Sequence, residues 1–434
     1  LYGANLPEPV VSVDLCDDCP LRRLLSVTAA GQTSNVLPLA TGQLEEVTES
    51  EPNDSLVQAD RVKVPVTING RIDRPGDYDF FVFRAQQGQE LVIDVRARRL
   101  GSPLDSIITL LNTKGGVLAR NDDTLDPTEP MLTHHADSRL VWKCPTTADY
   151  AVRIADVQGK GGDEYGYRLT LAPPQPDFAL RILPDNPRIA PGDTAVLTAE
   201  VIRKDGFDGE VRLSATDLPE DWTFRAATIS PKENQVRFTV TAPADASPGL
   251  ISPTFKGIAS VGDAEVVREA WPAEEVMQAF GYQHRLATRE FLLAVMEGGY
   301  FTLSADVPAD EVVEVPLTGE ATVVIKAVRA EGASGPIRLA ADGPPRGVAV
   351  KSVVIPANQE QATVTLTTTP AASLGVAQNL IIVGTMKAGK GSVSRYAPAI
   401  PIMIVAGPTS ASAEPPALPA TMPASLPSSQ KDTK

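Results

Sequence analysis

Short alternating runs of apolar and polar residues, cut at close intervals by Pro or Gly, constrain this chain more than any other feature. Side chains two apart on a strand share a face. Phe81 and Phe83 therefore present one apolar face, and so do Leu91, Ile93 and Val95, with Val92, Asp94 and Arg96 on the other side. Joined by Gln86-Gln87-Gly88-Gln89, the two runs read as a half-buried hairpin. Ile107–Leu111, a Lys114-Gly115-Gly116 turn, Val117–Ala119, Leu140–Trp142, Tyr150–Ile154 and Tyr167–Leu171 continue the series. With 38 Pro and 32 Gly spread along 434 residues, this pattern predicts an all-β chain of tandem β-sandwiches.

A fixed offset gives the domain plan. Val201-Ile202-Arg203 and Gly206, Gly209 and Val211-Arg212-Leu213 recur 126 residues later as Ala327-Val328-Arg329 and Gly332, Gly335 and Ile337-Arg338-Leu339. Pro219, Ile229, Gln235 and Gly249 meet Pro345, Ile355, Gln361 and Gly375 at the same shift. Such an offset marks duplicated domains, read as Ig-like sandwiches over 174–268 and 289–407. A β-sandwich over 46–173 precedes them, and 1–45 reads as the C-terminal remnant of an upstream β-domain. Pro272, Glu274 and Glu275 predict a short helix within a 269–288 linker. Arg289–Val295 reads as the first strand of the second copy, with a helix through 296 as the alternative. Pro, Ala, Ser and Thr dominate 408–434, which predicts a disordered tail.

Composition excludes several functions. The net charge is −15 with no Lys/Arg cluster, which argues against nucleic acid as a partner. No apolar run is long enough to span a membrane as a helix. The chain opens at Leu1 and reads as a processed or excised piece. Cys16-Asp17-Asp18-Cys19 lacks the second pair a zinc knuckle needs, so a local disulfide or two idle thiols remain. G-x-S-x-G, H-E-x-x-H and the phosphate-binding glycine loops are absent. His134-His135 and Asp122-Asp123 read as surface or turn residues, and a non-enzymatic chain is expected.

One stretch is a sharp candidate. In an extended Glu49-Ser50-Glu51-Pro52-Asn53-Asp54, the residues Glu49, Glu51 and Asn53 project to one side. Pro52 favours that geometry by restricting Glu51 to extended backbone. Asp54 and the nearby Asp77 and Asp79 add carboxylates. Hard oxygen donors on a short arm suit Ca²⁺ and not zinc; an acidic linker is the plain alternative.

Ordered landmarks across 46–173 resemble the bacterial pre-peptidase C-terminal (PPC) domain. They are E-x-E-P-N-D at 49–54, Ile68-Asn69-Gly70-Arg71-Ile72, Gly76-Asp77-Tyr78-Asp79-Phe80-Phe81, Gly88-Gln89-Glu90-Leu91 and Gly101–Asp105. Asn121-Asp122-Asp123, Asp149–Ile154 and Tyr167-Arg168-Leu169 complete the set. The family is jelly-roll-like and similar to the collagen-binding domains of bacterial collagenases, some of which bind calcium. The resemblance thus implies a Ca²⁺ site at Glu49, Glu51, Asn53, Asp54, Asp77 and Asp79, although Gly76 stands where an acid of the collagenase relatives aligns. Tyr2–Pro7 resembles part of the immunoglobulin-like IPT/TIG domains, and 174–407 resembles bacterial surface Ig-like repeats. The whole looks like a planctomycete-type surface protein. The implied role is non-catalytic extracellular binding or spacing, with protein or polysaccharide as partner and a secreted, periplasmic or cell-surface location. An accessory region of a secreted peptidase and a collagen- or carbohydrate-binding module are the alternatives.

Overall fold

The computed structural model describes residues 22–26, 28–29, 32–35, 37–125, 134–231, 233–277, 281, 283–308 and 311–407. Cys16, Cys19, the 408–434 tail and most of the 1–45 segment lie outside the described residues. Among the described residues the chain is all-β, with no α-helix and a three-residue 3-10 turn at Arg98–Leu100. No helix among them is long and apolar enough to cross a membrane. Three buried apolar clusters succeed one another along the chain, as expected of tandem sandwiches.

The first sandwich has two five-stranded sheets. One runs Val117–Asn121, Ser106–Asn112, Ala148–Asp156, Asp79–Ala85 and Asp60–Arg61. The other runs Arg139–Lys143, Glu90–Arg96, Gly166–Ala172, Val66–Arg71 and Glu46–Thr48. Phe81, Phe83, Leu91, Ile93, Val95 and Leu169 all meet in the core, fully buried. The expected hairpin between the Phe81 and Leu91 runs is not formed. Asp79–Ala85 pairs with Ala148–Asp156, whereas Glu90–Arg96 pairs with Arg139–Lys143 and Gly166–Ala172 in the opposite sheet. Alternation defines which face a strand buries, and two such faces are covered equally well across a sandwich as side by side in one sheet. The Gly88 turn, at φ 82°, carries the chain over.

The middle and last units repeat one another in register. Phe178 lies opposite Arg203 and Leu180 opposite Val201; Phe301 lies opposite Arg329 and Leu303 opposite Ala327. Arg203 donates from Nη1 to the Gly209 carbonyl (2.6 Å) and from Nη2 to those of Ser230 and Glu233 (3.0 and 3.1 Å). Arg329 binds the carbonyls of Gly335, Pro356 and Gln359, each 126 residues further on. Gly257 and Gly384 are also equivalent, lying opposite Leu213 and Leu339. A Cβ on Gly257 would come within 2.1 Å of Leu180 and 2.8 Å of Val211, and one on Gly384 within 2.8 Å of Leu303 and 2.9 Å of Ile337. The core leaves no room for either.

Two expectations between the repeats are overturned. The proposed helix and linker are occupied by the strand Ala264–Met277. Its Ala270 and Ala273 are buried, and it pairs in turn with Thr254–Val261, with Leu180–Ile182 and with Gln283–Ala287. Arg289–Val295 does not open the last unit. Phe291, Leu293 and Val295 sit in the middle core, and Ala294 pairs in parallel with Arg188. Met403 pairs in the same way with Glu314, so Leu293–Val295 is the middle unit's closing strand. The offset falls from 126 to 109 by this point (Ala294 to Met403), so the middle unit holds 17 additional residues in a stretch that includes the paired strands Ala273–Met277 and Gln283–Ala287.

The shared arginine gives a direct test of the repeat. Arg203→Ala leaves three carbonyls without their donor, at roughly 1–3 kcal/mol for each one kept from water. We expect Arg203→Ala to lower the unfolding temperature of the middle unit and Arg329→Ala that of the last unit, by similar amounts in differential scanning calorimetry. A loss confined to one of the two variants would contradict the equivalence.

Candidate metal centre

The acidic arm lies where the chain crosses between the two sheets of the first sandwich. Glu46–Thr48 is the edge strand of one sheet, parallel to Val66–Arg71, and the Glu49 N–H extends that ladder to the Asn69 carbonyl at 3.1 Å. The chain then leaves the sheet. The Asn53 carbonyl accepts the Phe80 N–H at 3.0 Å, and Asp60–Arg61 joins the edge of the other sheet. Glu49, Glu51 and Asn53 are thereby drawn against the turn that carries Asp77 and Asp79. Tyr78, between these two, is 43% exposed, so Asp77 and Asp79 share the inward face.

Glu49, Glu51 and Asp79 each offer an oxygen within 4.8 Å of the other two. Asn53 and Asp79 are fully buried, and Asp77 is 4% exposed. Several oxygens are anchored by the protein. Glu49 Oε1 accepts the Arg71 N–H at 2.6 Å, Glu51 Oε2 the Asn53 N–H at 3.0 Å, and Asp77 Oδ2 the Asp73 N–H at 2.8 Å. The Tyr167 hydroxyl lies 2.9 Å from Glu49 Oε2 and 2.6 Å from Asp79 Oδ2. Other polar atoms are buried with no hydrogen-bond partner: Asp77 Oδ1, Asp79 Oδ1 and both amide atoms of Asn53. A buried polar atom without a hydrogen bond costs about 1–3 kcal/mol, and here such atoms occur on the arm and on the turn that the arm is drawn against. Asp54 is differently placed, with both its oxygens held by Arg74 Nη2 at 2.9 and 3.0 Å.

The electrostatics follow from burial. Desolvation raises Glu49, Glu51 and Asp77 above their ordinary values, and neighbouring carboxylates add to this for Glu51 and Asp77. Asp79 is pushed up to about 9, by burial first and the Glu49 charge second. Burial and these same carboxylates hold the Tyr167 phenol well above its usual range. The donors are all hard oxygens in a site with excess negative charge, which fits a Ca²⁺ shell of six to eight oxygens and does not fit zinc.

Two contributing residues escaped the sequence reading of the site. Tyr167 figures in the sequence as a strand residue and a family landmark with no role at the site, although a signal exists, because a buried tyrosine hydroxyl must find a partner. Gly70 lies opposite Tyr167, and a Cβ there would fall 2.4 Å from the Tyr167 hydroxyl and 2.5 Å from Glu49 Oε2. Glycine is what lets the phenol cross the strand. Of the other candidates, His134–His135 forms a two-residue strand against Thr124–Leu125. Asp122 and Asp123 are exposed beside that ribbon.

The pH dependence of the metal-free domain follows. The folded Asp79 binds a proton that the unfolded chain releases near 3.8. Stability from this group is fully present below that pH and is lost as pH rises through about 9. We expect chemical denaturation in chelator to show the first sandwich weakening steadily from mildly acid to alkaline pH. Asp79→Asn should flatten the slope; an unchanged slope would separate it from this carboxyl.

No family model matches the chain. A probable subtilase-type serine protease of Deinococcus radiodurans is 30% identical over 140 residues, which cover 30% of this chain and 18% of that protein. The chain thus spans well under two thirds of the curated relative it matches. Among solved structures, the pre-peptidase C-terminal domain of a Bacillus anthracis collagenase aligns at 13% identity, over 28% of this chain and 99% of that one, with a TM-score of 0.21. Fibronectin(III)-like modules of Clostridium thermocellum CbhA align at 12% identity, over 52% of this chain and 94% of theirs, with a TM-score of 0.16.

Proposed function

We propose that this is a non-catalytic part of a secreted or cell-surface protein, in which a calcium-stabilised sandwich and two further sandwiches bind or space out extracellular material. Protein or polysaccharide is the partner class. The observation that carries the calcium reading is the set of buried polar atoms without a hydrogen bond at Asn53, Asp77 and Asp79, next to the Glu49, Glu51 and Asp79 oxygens that lie within 4.8 Å of one another. Glu49, Glu51, Asn53, Asp77 and Asp79 would hold the ion, and Asp54 would act from outside through Arg74 and Asp77. Tyr167 and the N–H groups of Arg71 and Asp73 orient the donors from behind, the arrangement that tunes metal sites generally. A divalent cation supplies the positive charge that the burial of these carboxylates otherwise lacks. Its effect is structural: it fixes the arm across the end of the sandwich, and so fixes how the preceding residues enter it.

The likeness to a subtilase-type protease over 140 residues favours a second reading, an accessory region of a secreted peptidase. Both readings leave this part of the chain without chemistry of its own. Purified protein should therefore show no turnover on casein, peptide or ester substrates. Activity that persists through repurification would end both.

Calcium binding is tested by thermal unfolding in chelator, Mg²⁺ and Ca²⁺. Stabilisation by mass action amounts to about 2.7 kcal/mol at a hundredfold excess over Kd. We expect Ca²⁺ to raise the unfolding temperature of the first sandwich alone, and the Glu51→Ala, Asp79→Ala double variant to lose that rise. No binding heat and no shift at millimolar Ca²⁺ would reduce the arm to an acidic linker.

A further inference from the structure

The two repeats meet on a face whose central arginine the duplication does not share. Arg237 and Thr239 stand on the side of Gln235–Thr241 turned away from the core residues Phe238 and Val240. Arg237 donates to the main-chain oxygen and to Oδ2 of Asp342 in the last unit, both at 2.6 Å. Its own carbonyl accepts from Asn379 Nδ2 at 2.9 Å. Thr239 is fully buried, and its Oγ1 accepts the Ala399 N–H at 2.9 Å. Arg225 holds the carbonyls of Val307 and Pro308, each at 3.0 Å. Most of these bonds end on main-chain atoms, so they fix backbone to backbone instead of linking two mobile side chains.

At the 126-residue offset Arg225, Arg237 and Thr239 become Lys351, Thr363 and Thr365. On the receiving side, Asp342 corresponds to Thr216, and Asn379, by the pairing of its strand with the closing strand, to Ser252. Thr239 and a positive charge at Arg225 recur in the last unit, as do the core and the Arg203/Arg329 clamp, yet Arg237 and its partners Asp342 and Asn379 have no counterpart of the same chemistry in the other copy. A contact face merely inherited by both copies would have matching chemistry. This contact is head-to-tail, and the last unit lacks the arginines that would continue it. Only residues 296–300 separate the closing strand of the middle unit from the first strand of the last.

We infer that the two repeats are locked by the Arg237–Thr239 face into a single rigid strut, and are not beads on a flexible linker. The inference rests on the spacing half of the proposed function and owes nothing to calcium, so the two can fail separately.

The test is a distance distribution by double electron–electron resonance on the full chain, with spin labels at Val267→Cys and Val354→Cys, both about half exposed. Cys16 and Cys19 are replaced by Ser, while Cys144 is buried. One narrow peak is expected, unchanged by chelator and by the Glu51→Ala, Asp79→Ala variant. Arg237→Ala with Thr239→Val should replace that peak by a broad distribution. Asp342→Ala with Asn379→Ala, made from the opposite side, should do the same and decides the matter if the first pair fails to fold by circular dichroism. A broad distribution in the parent chain, or a narrow peak surviving in the folded variants, overturns the strut.

Discussion

The longer strands here carry an apolar face, and that face must be covered. With few aromatics available, covering it takes a second sheet packed against the first, and the rest of the architecture follows. In the first sandwich, most successive strands go to opposite sheets, the Ser106–Asn112 and Val117–Asn121 pair excepted, so the chain must cross the ends of the sandwich repeatedly. Crossing segments leave the ladder, and their N–H and C=O groups need other partners. At the end where Glu49–Asp54 crosses, carboxylates serve that purpose: Arg71 and Asp73 donate to Glu49 and Asp77, and Asn53 to Glu51. The acidic cluster is thus placed by the sandwich, at a point where backbone donors are in surplus.

The same placement creates an imbalance. The N–H groups orient carboxylates but carry no net charge, and the Arg74 cation at the cluster's rim is taken up mainly by Asp54, with Asp77 at 3.5 Å. Tyr167 donates a single proton to be shared between Glu49 and Asp79. Buried like charges persist only with added protons or an added cation. Burial of Asp79 against Glu49 shows what the protein does alone, which is to hold a proton far above the usual carboxylate range. A purely structural acidic turn would satisfy its own oxygens, as Asp137 does by accepting the N–H groups of Ala97, Arg98 and Arg99 together with the Arg99 side chain. The contrast within one domain is what sets the arm apart from an ordinary buried aspartate.

Much of this was legible in the sequence, and the failures share a cause. Alternation located the strands and the inward faces of Phe81, Leu91 and Leu169, because period two is a property of a single strand. It could not supply partners. The Phe81 and Leu91 runs looked like a hairpin because they adjoin in sequence, and the Phe291–Val295 run looked like an opening strand because it echoed Phe178–Ile182. Helix signals at Pro272, Glu274 and Glu275 were real locally, but Ala270 and Ala273 face the core. Pro272 falls where Ala264–Met277 passes from one ladder partner to another, a place where a missing N–H is tolerated. For the site, spacing brought Glu49, Glu51 and Asn53 together and put Asp77 and Asp79 on one face. Tyr167 and Gly70 were out of reach because their role depends on a cross-strand register that no local pattern encodes.

The duplication separates two kinds of constraint that a single domain would leave mixed. Positions kept between the copies are those whose change would harm the unit itself. Arg203 and Arg329 satisfy three internal carbonyls, and Gly257 and Gly384 clear space for a leucine and a β-branched neighbour. Positions that differ at the junction, such as Arg237 against Thr363, have partners outside their own unit, so nothing within the sandwich demands a particular residue there. The 17-residue insertion obeys the same rule. Its hairpin grows from the strand Ala264–Met277, and Arg285 reaches back to Glu200 on the outer face of the middle unit. It adds to the outside without disturbing the core register, which still aligns Ala294 with Met403 through their pairing with Arg188 and Glu314. A sandwich of this kind fixes what its interior must be and leaves its outer faces free to acquire contacts. That freedom is why the contacts, and not the fold, distinguish one copy from the other.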